Sequence, residues 1–174
     1  MNSASGVVTR TVPKTYQRLQ EWSNLQQQAL ADIYIPGSHI TVDECVVGFT
    51  GQSKLKTTIP NKPTPIGFKV WVVVERGLFL RWIWHTPGRG LVGISKKPPS
   101  AEVTLNPTQR VVTHLVWLLP EDAYHVFLNN LFSSPKLFLV LRNSGIGALG
   151  TARINSGIFH ELVQEKKKPD SKKP

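Results

Sequence analysis

The sequence predicts one α/β domain, a mixed β-sheet covered by helices. Three observations predict it. A run of consecutive strand signals comes first and includes a tight hairpin, and helices and strands then alternate to the end, an order that suits a sheet with both antiparallel and parallel strands. The length of 174 residues is that of a single domain, with 40% hydrophobic residues to build its core. Apolar runs stay short, as in Val70–Val74 and Leu115–Leu119, well below the roughly 18 residues of a membrane helix.

The elements follow in order. Residues 1–14 are small and polar and read as an arm. Tyr16 to Ala31 holds strong helix formers, with Leu19, Trp22, Leu25 and Ala29 near helical spacing. Pro36-Gly37-Ser38 ends that helix. His39 to Phe49 is rich in β-branched residues and half alternating, hence a strand. Gly51-Gln52-Ser53 reads as a turn. Pro60, Pro63 and Pro65 make the segment from Ile59 to Pro65 an extended connector. Phe68–Val74 and Leu78–His85 are strands joined at Glu75-Arg76-Gly77.

Residues 86–101 read as an exposed loop of glycine, proline and lysine. Pro107–Leu119 carries a helical apolar face, opened by Asn106 as N-cap with proline at the first helical position. Ala123–Leu128 is a short strand, and Ser134-Pro135 repeats the cap signal for a helix through Arg142. Asn143-Ser144-Gly145 stops it. Ile146–Arg153 reads as a strand and Ser156–Lys166 as a last helix. A ribonuclease H-like architecture fits this order, as would other α/β arrangements.

Charge is concentrated. Cys45 to Ala101 holds nine basic residues against the single acid Glu75, a net of +8 out of +10 for the chain. Such a field attracts polyanions, although solubility alone would also account for it. A lone cysteine excludes an internal disulfide framework, and no signal peptide is recognisable in MNSASGVVTR. The chain is therefore expected inside the cell and off the membrane. Cys45 reads as a small buried residue. The five histidines lack metal-ligand spacing. Trp71, Trp82 and Trp84 could stack bases, but packing between sheet and helix is the commoner use of such residues.

Several segments, ordinary when taken singly, form a series. They are Asp43-Glu44, Gly51-Gln52, Lys62-Pro63, Gly67-Phe68-Lys69, Asn129-Asn130-Leu131-Phe132-Ser133-Ser134 and Gly150-Thr151-Ala152-Arg153. From about Tyr34 to Gly157 this series resembles the piggyBac transposases and proteins derived from them. The resemblance implies a ribonuclease H-like core, incomplete here at the C-terminus, in which three aspartates hold two Mg2+ ions for DNA strand transfer. Asp43 matches the first carboxylate and is at most a weak metal ligand alone. Asn129 stands where the family has the second. The third lies beyond the matching segment, and Asp170 has no strand or helix context to replace it. Glu44 should point to the opposite sheet face from Asp43. Gln52 replaces the family's arginine, and the cysteine-rich zinc module is missing.

The expected organisation is an N-terminal arm and helix over residues 1–33, a partial transposase-like domain over 34–160, and a basic tail over 161–174. The expected function is that of a transposase-derived protein that no longer cuts, with DNA as partner through Lys54, Lys56, Lys62 and Lys69. No cofactor is expected to be retained, although the family implies Mg2+. A homodimer or a complex with a full-length transposase is a further expectation. The lysines from Lys166 to Lys173 resemble a nuclear-import run; the cytoplasm is the alternative. The competing reading is a non-catalytic interaction module or a relic.

Overall fold

The computed structural model describes residues 13–60, 62–86 and 104–167. Helix α1 spans Lys14–Ile33, followed by strands β1 His39–Gly48, β2 Thr57–Thr58, β3 Ile66–Glu75 and β4 Leu78–Trp84. Then come α2 Pro107–Trp117, β5 His125–Leu128, α3 Pro135–Asn143, β6 Gly147–Gly150 and α4 His160–Lys167. No helix among the described residues is long and apolar enough to cross a membrane.

One sheet holds all six strands. β1 lies between β3, its antiparallel neighbour, and β5, its parallel one. β6 adds parallel to β5, while β2 and β4 pair with successive parts of the other edge of β3. Antiparallel strands come first and parallel strands follow a helical crossover, the mixed sheet that the element order predicts. The hairpin between β3 and β4 turns on Arg76 at φ 48° and Gly77 at φ 85°. Positive φ at both positions matches the right-handed twist of the strands, and glycine takes it without strain.

The main core lies on one sheet face. Ile40, Val42, Trp71, Val73, Val126 and Leu128 meet Val112, Leu115 and Val116 of α2 and Leu137 and Leu141 of α3. Both helices start where the sequence places them. Asn106 accepts from the Gln109 backbone while the Gln109 side chain accepts from the Asn106 backbone, a reciprocal capping box. Ser134 accepts from the Leu137 N–H and also from Gln109 Nε2 at 2.8 Å, so the two caps are joined.

Three features add to or correct these expectations. First, β2 is a two-residue strand in the stretch before the proline connector. Its pairing with β3 continues in the Ile59 N–H, which donates to the Pro65 carbonyl at 2.8 Å. Second, β6 is shorter than Ile146–Arg153, and α4 starts at His160 rather than Ser156. Third, Leu19, Trp22 and Leu25 are exposed by 41%, 61% and 67%. Helix α1 instead packs through Tyr16 and Ser23. The reason lies at the edge of β4: Gln27 Oε1 accepts from the Trp82 backbone N–H at 3.0 Å, and Arg81 donates to the Gln27 carbonyl. The helix covers an open strand edge, and polar residues satisfy that edge better than leucines would. Most of the expected 86–101 loop lies outside the described residues.

Candidate functional site

The site is built where β1 and β5 run side by side. Their parallel register pairs Thr41 with Phe127 and Val42 with Leu128. One step further along both strands brings Asp43 beside Asn129, and the Asn129 side-chain N–H donates to Asp43 Oδ1 at 2.9 Å. The same carboxylate oxygen accepts from the Glu44 backbone N–H at 2.8 Å. Two residues 86 positions apart in sequence are thus in contact.

Asn129 is held at both ends. Its Oδ1 accepts from the Leu131 N–H at 2.8 Å. Its backbone carbonyl accepts from the Ser133 hydroxyl at 2.9 Å and from the Phe132 and Ser133 N–H groups. Phe132 is fully buried, with its ring 5.7 Å from that of Trp71. Beyond the turn, a Cβ at Gly150 would run into the Leu128 carbonyl and the Ser133 hydroxyl, which accounts for glycine there. Arg153 donates to Asn130 Oδ1 at 3.3 Å and ties the Gly-Thr-Ala-Arg stretch to the same turn.

Glu44 departs from the simple expectation. Its register partner is the core residue Trp71, which agrees with strand alternation. Its carboxyl nevertheless still interacts with that of Asp43. Burial pushes Glu44 above the usual carboxylate range, the charge and a hydrogen bond of Asp43 add to this, and Lys69 and Lys62 oppose it. Glu44 Oε2 is buried and has no hydrogen-bond partner.

The four candidate DNA-binding lysines fall into two pairs. Lys54 and Lys56 line a shallow cavity of about 440 Å³ with Gln52 and Ser53 at the turn after β1. Lys62 and Lys69 lie near the acids. Lys69 Nζ sits 3.8 Å from the centre of the Trp71 ring, and burial pushes its ammonium below the usual lysine range, with the charge of Glu44 opposing this. Arg81, part of the basic segment, is engaged by α1. Arg89, Lys96, Lys97 and Asn61 lie outside the described residues.

Other candidates resolve as packing. Trp84 stacks on Tyr16 with ring centres 4.9 Å apart, and Trp71 is in the main core. The Tyr16 hydroxyl donates to the His85 carbonyl, and burial pushes its pKa up to about 12. Burial likewise raises the Cys45 thiol, which disfavours the reactive thiolate. One feature escapes sequence reasoning altogether: His39 and His125 stack 5.4 Å apart, because the parallel register makes them direct neighbours.

The donor set does not fit the Mg2+ that the family implies. Among the described residues no group of three or more His, Cys, Asp or Glu side chains could hold a metal ion. Asn129 presents its side-chain N–H to Asp43, and its neutral side-chain oxygen accepts from the Leu131 N–H. Hard dications require oxygen ligands.

Comparison with known proteins agrees with this architecture. The human PiggyBac transposable element-derived protein 2 is 30% identical over 114 residues, which are 63% of this chain and 18% of that protein. A piggyBac transposase, solved in a synaptic complex with hairpin DNA, superposes with a TM-score of 0.71 at 22% identity over 90% of this chain and 31% of the other. The chain thus spans less than a third of either relative's length. Residues 12–173 match the transposase IS4 family, so the chain belongs to that family of transposases.

Proposed function

We propose that this is a transposase-derived DNA-binding protein that does not cut DNA. The observation that carries the reading is the Asn129–Asp43 contact, in which a neutral amide donates to the one carboxylate that matches the family's first ligand. Two-metal strand transfer requires several anionic oxygens to hold two dications close together. Binding has no such requirement. Lys54, Lys56, Lys62 and Lys69 supply phosphate-directed charge from an exposed turn and from the neighbourhood of Glu44. The net charge of +10 favours association with a polyanion.

The test is a gel shift on duplex DNA over a range of salt concentrations. Four phosphate contacts would give a slope of log affinity against log salt of about −3.6, and Lys54→Ala with Lys56→Ala should reduce its magnitude by about 2. Negligible binding at low salt, or binding indifferent to salt, would contradict the reading. The basic run starting at Lys166 supports nuclear entry, which imaging of the tagged chain with and without residues 166–174 would check.

A second reading, an interaction module, is favoured by the exposed stripe Leu19, Trp22, Leu25 and Ile33 on α1. Its partner would be a second copy or a full-length transposase. Sedimentation velocity across concentrations tests the first case: a monomer at all concentrations removes it.

A further inference from the structure

The misfit between the site and a divalent cation has a structural counterpart. We propose that Asn129 converts the metal position into a hydrogen-bonded lock that joins β1, β5 and the turn into α3 without any cation. The orientation of the amide is fixed independently of Asp43. The Leu131 N–H is a donor, so the Asn129 atom 2.8 Å from it must be the oxygen. The nitrogen therefore faces Asp43, and its N–H satisfies a carboxylate oxygen that also takes the Glu44 N–H. The Asn129 carbonyl holds the turn through Ser133 and Phe132, whose ring reaches the core at Trp71. One side chain and its own carbonyl thus tie three elements together.

An aspartate at the same place could keep the Leu131 bond, but its second oxygen would lie 2.9 Å from Asp43 Oδ1, where the amide nitrogen now sits. Two carboxylates at that distance do not both stay ionised unless a cation or a proton lies between them. The lock and the metal site are therefore alternatives. The amide makes the joint between β1 and β5 independent of divalent ions.

Thermal unfolding of the whole chain tests this in EDTA and in millimolar Mn2+. The wild type should unfold at the same temperature in both. Asn129→Asp should unfold several degrees below the wild type in EDTA at pH 7.5, and that gap should close in Mn2+ or when both are compared at pH 5. Asn129→Ala and Asp43→Ala should each lower the midpoint, and the double variant should fall by less than the sum of the two. A rise of the wild-type midpoint with Mn2+ that Asp43→Ala abolishes would overturn the lock. So would an Asn129→Asp chain as stable as wild type in EDTA. Should Asn129→Asp fail to fold, NMR of the wild-type Asn129 side-chain amide decides: protected and unbroadened signals with Mn2+ support the lock, and paramagnetic broadening overturns it.

Discussion

Trp22 illustrates how residue type and residue environment can part. It lies at helical spacing with Leu19 and Leu25, yet 61% of it faces solvent. Trp22→Ser should therefore change stability by no more than about 0.5 kcal/mol, whereas Leu115→Ala, at a fully buried position, should cost about 2–5 kcal/mol. Denaturant titration of both variants checks the contrast. His114 gives a pH prediction. Burial holds its pKa below the ordinary 6.5, so the unfolded chain binds the proton more readily than the folded one. Its contribution to stability is complete above pH 6.5 and is lost as pH falls from there through the depressed folded value. His85 is shifted in the same direction by burial and by the Lys69 charge. The loss of stability that these two histidines bring between pH 7 and pH 5 should be smaller in His114→Gln, as paired melting curves at the two pH values would show.

At the scale of elements, what was legible was local. Asn106-Pro107 and Ser134-Pro135 mark the starts of α2 and α3 because capping depends on a side chain three residues from its target. Asn106→Ala should cost about 0.5–2 kcal/mol, more if loss of the box also disturbs the bond from Gln109 to Ser134, and thermal unfolding would measure it. The hairpin at Arg76-Gly77 was equally legible, because its turn needs positive φ. What could not be read depends on distant partners. β2 exists only because Gly67 and Ile66 accept it as a neighbour. The outward stripe of α1 follows from Gln27 meeting the edge of β4, 55 residues away. The Asp43–Asn129 pair follows from the family's motif order, but its hydrogen bond depends on the parallel register of β1 and β5. No local pattern announces that register. The Asn129 orientation was likewise hidden, since it is fixed by Leu131.

For the whole molecule, the fold and the chemistry separate. The match over residues 12–173 places the chain in the transposase IS4 family, and the sheet is the fold it shares with a solved piggyBac transposase. The proposed loss of cutting is confined to one amide and its neighbours, while the proposed binding rests on lysines that do not depend on that amide. The most direct measurement is strand cleavage of supercoiled plasmid by the purified chain in Mg2+ and in Mn2+, beside an Asp43→Ala control. The expected result is no nicking above that control in either metal. Metal-dependent nicking by the wild type that Asp43→Ala abolishes would contradict it.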